Sequence, residues 1–255
     1  MKCLITGASS GIGKHMAYYL ASKNIDLILV ARNTKEMEKI KENVQVDVKI
    51  ISLDLTNTKN VFKLYEQTKD DNIDILINNA GFGLFGEFVD TDLDRELEMI
   101  DLNIKAYHIL TKLFLQDFVK KDSGYILNVC SSAGFMAGPR LSTYYATKNY
   151  ITKLTMAINE ELRQKGSKVS ISALCPGPVN TNFNKVAHGE FSIKEADPAF
   201  IAKYGIDKMF AHKILIVPTL KMKLTLFLTR FAPYRLQLLI AYHIQGKKLG
   251  KWFLN

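Results

Sequence analysis

Short unbroken runs of Ile, Leu and Val recur along this chain. They alternate with longer segments whose apolar residues fall three and four apart. The runs are Lys2–Thr6, Asp26–Ala31, Val48–Leu53, Ile73–Asn78, Tyr125–Cys130, Val169–Leu174 and Ile214–Val217. They lack the apolar–polar alternation of a strand with one wet face, and so predict strands covered on both sides. The segments between them predict helices. The longest covers Asp92–Phe118, where Leu97, Ile100, Ile104, Tyr107, Leu110 and Phe114 recur at helical spacing. Strand and helix alternating in this order predict an α/β fold: a doubly wound parallel sheet of about seven strands with helices on both faces. No internal repeat, low-complexity tract or Pro/Gly/Ser linker interrupts residues 1–255, which predicts one domain.

The pattern changes toward the C-terminus. Asp197-Pro198 predicts an N-cap followed by proline in the first helical turn, opening a helix toward Phe210. Residues 184–212 read as a substrate lid. Leu220, Leu224, Phe227, Leu228 and Phe231 then form one helical stripe, with Lys221, Lys223 and Arg230 off it. A second amphipathic segment, 234–245, carries Leu236, Leu239, Ile240 and Ile244.

Charge sharpens this division. Ten Lys and Arg follow residue 200 against one acid, Asp207, so the net +9 lies there and the preceding chain is neutral. The 219–255 helical extension therefore predicts a basic amphipathic surface for membrane, a cover over a pocket, or a subunit interface. A nucleic-acid binder would more often carry its charge on the main fold, and no reader motif is present, so no nucleic-acid partner is expected.

Composition otherwise excludes more than it selects. Hydrophobic residues at 47 % and charged residues at 23 % exclude disorder, collagen and coiled coil. Cys3, Cys130 and Cys175 are odd in number and scattered, which points away from a disulfide framework or zinc cage and toward a reducing compartment. The chain runs from Met1 to Thr6 and straight into a glycine turn, so no secretory signal and a cytoplasmic location are expected. No apolar run reaches the ~20 residues of a membrane span. His15, His108, His188, His212 and His243 never pair at metal spacing, so no metal is expected.

The first candidate chemistry is Thr6-Gly7-Ala8-Ser9-Ser10-Gly11-Ile12-Gly13, directly after the first strand and before a helical run from Lys14 to Ser22. Its glycines allow a tight turn and close backbone approach, and the helix N-terminus offers free N–H groups to a pyrophosphate. Asn78-Asn79-Ala80-Gly81 follows the fourth strand. Tyr144 and Lys148 stand one helical turn apart, Ser131 ends the fifth strand, and Cys175-Pro176-Gly177-Pro178-Val179-Asn180-Thr181 follows the sixth. From residue 2 to about 183 these motifs, in this order, resemble the short-chain dehydrogenase/reductase family.

The resemblance implies a Rossmann-type fold, a homodimer or homotetramer, and a catalytic set of Asn103, Ser131, Tyr144 and Lys148. It also implies a dinucleotide held by Gly7, Ser9, Ser10, Gly11, Ile12, Gly13, Asp54, Leu55, Asn79, Ala80, Gly81, Pro176, Gly177, Val179 and Thr181, together with Tyr144 and Lys148. In the family the asparagine side chain disturbs its helix and anchors a water that relays protons to the lysine. The second strand ends in Ala31-Arg32 and not in a carboxylate. A guanidinium fits a 2′-phosphate with no acid to repel it, so NADP(H) is the expected cofactor. Tyr145 has Asn149 one turn on and lacks the lysine partner, which sets the register at Tyr144. A nearby ammonium and the oxidised nicotinamide are expected to lower the phenol's pKa. Phe82, Phe85, Phe135, Met136 and Phe183 lie in loops near the nicotinamide in this architecture. They predict an apolar carbonyl or alcohol substrate of hydroxysteroid, acyl or aromatic ketone type. A protein that keeps the fold and senses the cofactor without turnover is the alternative.

Overall fold

The structure, a computed structural model, describes residues 1–183, 187 and 195–246. Its strands are β1 (Lys2–Thr6), β2 (Asp26–Ala31), β3 (Val48–Ser52), β4 (Ile75–Asn78), β5 (Tyr125–Val129), β6 (Ser170–Leu174) and β7 (Leu215–Ile216). All pair in parallel, in the order β3-β2-β1-β4-β5-β6-β7. The seven expected strands are all present, each within two residues of its expected bounds.

The helices are α1 (Gly11–Ala21), α2 (Thr34–Glu42), α3 (Thr58–Glu66), α4 (Leu93–Ile100), α5 (Tyr107–Lys120), α6 (Ser142–Gln164), α7 (Pro198–Phe210), α8 (Leu220–Thr229) and α9 (Tyr234–Gly246). Alternate strand residues feed two cores. Ile5, Leu27, Leu29, Ile77 and Leu127 pack with α1, α2 and α7 on one face. Leu4, Ile28, Val30, Leu76 and Ile126 pack with α3, α5 and α6 on the other. Burial on both faces explains why these strands read as continuous apolar runs.

Local signals set the element ends. Asp197 accepts from the Ala199 and Phe200 N–H groups, with Pro198 in the first turn of α7. Asp54 caps no helix; Asn57 caps α3, and Asp54 accepts from the Thr56 N–H and hydroxyl in the preceding turn. The long stretch after Asp92 is helical, but it is interrupted: Asp101–Ala106 forms a π-helical turn between α4 and α5. Chain order reverses between β1 and β4, which opens a crevice at the carboxyl ends of these strands. Of the expected lid, residues 184–186 and 188–194 lie outside the described residues, as do 247–255 of the extension.

Candidate active site

The glycine turn and the loop after β4 are built against each other at that crevice. Thr6 Oγ1 accepts from the Asn79 and Ala80 N–H groups at 2.9 and 3.1 Å, and Asn79 Nδ2 donates to the Thr6 and Gly7 carbonyls at 3.1 and 3.0 Å. A Cβ on Gly7 would meet Ala80 Cα at 2.7 Å, and Gly7 has φ +66°, so this contact requires glycine. A Cβ on Gly13 would lie 2.4 Å from the Gly7 carbonyl oxygen. Gly13 therefore shapes the turn from behind. Ser10 begins α1 without capping it through its side chain, and no acid stands in the first turn. The free N–H groups there suit a phosphate.

One cavity of about 590 Å3 runs from this turn across the carboxyl ends of the sheet. Its walls include Gly7, Ser9, Ser10, Gly11, Ile12, Arg32, Asp54, Leu55, Asn79, Ala80 and Gly81 at one end. Ser131, Tyr144, Lys148, Pro176, Gly177, Val179 and Thr181 line the rest. A glycine cradle, an uncapped helix start and a cleft of this extent fit a dinucleotide. At its far edge Arg32 Nη1 lies 3.7 Å from Asp54 Oδ2, with Arg32 largely exposed. Burial alone would raise the Asp54 carboxyl, but the Thr56 donors and Arg32 outweigh it and lower the pKa.

Lys148 is 5 % exposed; its Nζ donates to the Val129 carbonyl at 3.0 Å and stands 5.8 Å from the Tyr144 ring centre. Burial lowers the ammonium's pKa, with the thiols of Cys130 and Cys175 opposing. Burial also pushes the Tyr144 phenol above its ordinary value, with Ser131 opposing. The expected lowering by Lys148 is thus corrected for the protein's own groups. Desolvation of the phenolate outweighs a lysine whose ammonium is turned to Val129.

Ser131 Oγ accepts from the Ala133 N–H at 3.1 Å and begins the short 3₁₀ turn Ser132–Phe135. Asn149 Nδ2, on α6, donates to the Ala133 and Met136 carbonyls at 2.9 Å each, tying that turn to the helix of Tyr144. Tyr145 borders the same cavity, but its hydroxyl is engaged, accepting from Gln245 Nε2 at 2.7 Å. Asn103 is fully buried in the π-helical turn. Its Oδ1 accepts from the Phe82 N–H at 3.2 Å, and its Nδ2 donates to the Phe82 carbonyl at 2.9 Å and to Thr147 Oγ1 at 3.1 Å. These are direct ties to the Gly81-Phe82 loop and the Tyr144 helix.

The five apolar loop residues divide. Phe82, Met136 and Phe183 line the cavity, and the Phe183 ring lies 5.2 Å from that of Tyr144. Phe85 is 3 % exposed and packs with Leu141 and Ala187, and Phe135 packs against the cluster of Cys130 and Ile151; neither is a cavity wall. Their loops come close to the cavity while these two rings turn into packing.

Several participants escape sequence reasoning. Asn78 Nδ2 donates to Thr111 Oγ1 and Asn128 Oδ1, and Asn128 Nδ2 donates to Thr155 Oγ1. This buried chain ties β4 and β5 to α5 and to α6, the helix of Tyr144 and Lys148. An Asn at the same place in two apolar strands was its only signal. The inner side of α8 and α9 also closes the cavity, through Met222, Thr225, Thr229, Gln237, Ala241 and Gln245.

The family model for the short chain dehydrogenases matches residues 2–190. An oxidoreductase of Staphylococcus epidermidis, itself uncharacterized, is 33 % identical over 180 residues, 70 % of this chain and 77 % of the relative. A short-chain dehydrogenase from Sphingobium yanoikuyae, solved with NADPH, superposes with a TM-score of 0.82 at 27 % identity, covering 92 % of this chain and 94 % of that one. The bulky-bulky ketone specific alcohol dehydrogenase from Comamonas testosteroni gives 0.77 at 27 %, covering 90 % and 92 %. The chain belongs to the short-chain dehydrogenase family: an oxidoreductase with the Rossmann-type sheet of enzymes that bind a nicotinamide cofactor.

Proposed function

We propose that the protein is an NADP(H)-dependent oxidoreductase that interconverts an apolar ketone and its secondary alcohol. One observation carries this reading: the glycine cradle, Arg32, Ser131, Tyr144 and Lys148 all open into a single cavity. When bound, the nicotinamide supplies or receives the hydride. Tyr144, held as the neutral phenol by burial, donates its proton to the carbonyl oxygen, and Ser131 hydrogen-bonds that oxygen as charge develops on it. Lys148 spends one of its three donors on the Val129 carbonyl and keeps two for the nicotinamide ribose hydroxyls. Asn103 positions the Gly81-Phe82 wall.

Arg32 at the cavity edge, beside Ala31, supports a 2′-phosphate, as does the neighbour solved with NADPH. Phe82, Met136, Leu141 and Phe183 support an apolar substrate, and the Comamonas neighbour points to a bulky ketone. Free Cys3, Cys130 and Cys175 support a reducing, cytoplasmic setting, and the family resemblance supports a homodimer or homotetramer. The test is NADPH oxidation against ketosteroids, 3-oxoacyl esters, bulky aryl ketones and simple sugars. Turnover of at least one apolar ketone, faster with NADPH than with NADH, is expected. Turnover of none of them, or of sugars alone, contradicts the proposal.

A further inference from the structure

The roof of the cavity carries large apolar side chains on its outer side. On α8, Leu226 is buried and Met222 packs over Gly177, while Leu220, Leu224, Phe227, Leu228 and Phe231 are 81 %, 59 %, 53 %, 56 % and 73 % exposed. The stripe that the sequence groups on one helical face points to solvent. On α9 two glutamines turn inward beside Ile240, Ala241 and Ile244. Gln237 Nε2 donates to the Thr229 and Ala232 carbonyls, and Gln245 is buried against Tyr145, while Leu236 and Leu239 turn outward and Tyr242 packs on Arg140. The Phe227 and Phe231 rings meet edge to face at 5.3 Å on the outside. The inner side is also apolar in part, through Leu226, Ala241 and Ile240, so these helices carry apolar side chains on both faces, and the exposed one marks an interaction site.

Charge identifies the partner. Lys221, Lys223, Arg230 and Arg235 are exposed on the same two helices, and among the described residues no acid pairs with any of them. The sequence holds no Asp or Glu after Asp207 and adds Lys247, Lys248 and Lys251 beyond α9. A second copy docking face to face would set these cations against one another, with no Asp or Glu on either helix to answer them. An anionic lipid surface takes up both the apolar side chains and the charge.

We infer that the outer face of α8 and α9 docks on an anionic membrane surface. The inner face of these helices lines the cavity through Thr225, Thr229, Ile240 and Ile244, so an apolar substrate enters from the lipid side. The substrate clause rests on the function proposed above; the docking clause does not.

The test uses the full chain, sedimented with phosphatidylcholine vesicles with or without phosphatidylglycerol, at low and high salt. Wild type pellets with the anionic vesicles at low salt and is released by salt. Each basic residue near the headgroups contributes about fivefold in partition. Phe227→Asp/Phe231→Asp and Lys221→Glu/Arg235→Glu each reduce partition at least about tenfold, with melting temperature and NADPH binding unchanged, because none of the four side chains lines the cavity. Wild type remaining in the supernatant with anionic vesicles at low salt overturns the inference, as does partition that neither variant reduces. A wild-type dimer that Phe227→Asp/Phe231→Asp converts to monomer, without vesicle binding, assigns the face to a second copy instead. Turnover of a small water-soluble ketone, assayed without lipid, reports separately on the proposed chemistry.

Discussion

The floor and the roof of the same cavity both turn amides inward, but only the roof turns large apolar side chains to solvent. On the sheet side, the fully buried amides of Asn78, Asn103 and Asn128 are tied to hydroxyls, to one another and to backbone groups on neighbouring elements. In the roof, glutamines face inward while leucines and phenylalanines face outward. A buried amide tied to neighbouring elements in this way fixes geometry, even though Asn78 Oδ1 has no partner of its own. A phenylalanine that is more than half exposed contributes little to folding in water. The floor is organised around position and the roof around contact.

Substitutions should separate the two. Asn103→Ala strands the Phe82 N–H and carbonyl and loosens Thr147. It should cost about 3 kcal/mol, close to 10 °C in melting temperature, readable by calorimetry. Ala31→Asp places a carboxylate beside Arg32 and the expected 2′-phosphate. It should weaken NADPH by about 1–3 kcal/mol while sparing NADH, readable by fluorescence titration. Leu224→Ser, on the outer face of the roof, should change stability by no more than about 0.5 kcal/mol. A loss comparable to that of Asn103→Ala would place the face in the fold's own packing and erase the contrast.

Acidity supplies a further check on the floor. The Tyr144 pKa is raised by burial, so the proton-bearing form persists to higher pH than for a free tyrosine. In the reduction direction, kcat/KM of the free enzyme should therefore show no loss of the proton donor below about pH 10, the ordinary tyrosine value. A fall centred near neutrality in wild type, absent from Tyr144→Phe, would mean that charge on bound cofactor or lysine overrides desolvation.

The frame and the motifs were legible because each rests on local chemistry: two-sided burial makes continuous apolar strands, and the glycine turn needs residues without Cβ. Tyr144 and Lys148 were legible through the family resemblance, with helical spacing setting the register between Tyr144 and Tyr145. The π-helical turn was not, because propensity does not distinguish Asp101–Ala106 from ordinary helix; Asn103 was the one residue there that looked out of place. The orientation of α8 and α9 was hidden for a related reason. A helical stripe records which residues share a face, not whether that face meets protein or something else. Phe85 and Phe135 show the same limit in loops, where neighbours in sequence turn to opposite sides.

The account stands most directly on which tyrosine gives up the proton. Tyr144→Phe and Tyr145→Phe can be compared with wild type in NADPH-dependent reduction of one apolar ketone, with NADPH affinity measured in parallel. The account predicts that Tyr144→Phe retains cofactor affinity and loses at least about a hundredfold in turnover. Tyr145→Phe, which loses only the hydrogen bond from Gln245, should stay within about tenfold of wild type. Normal turnover in Tyr144→Phe with collapse in Tyr145→Phe would contradict it.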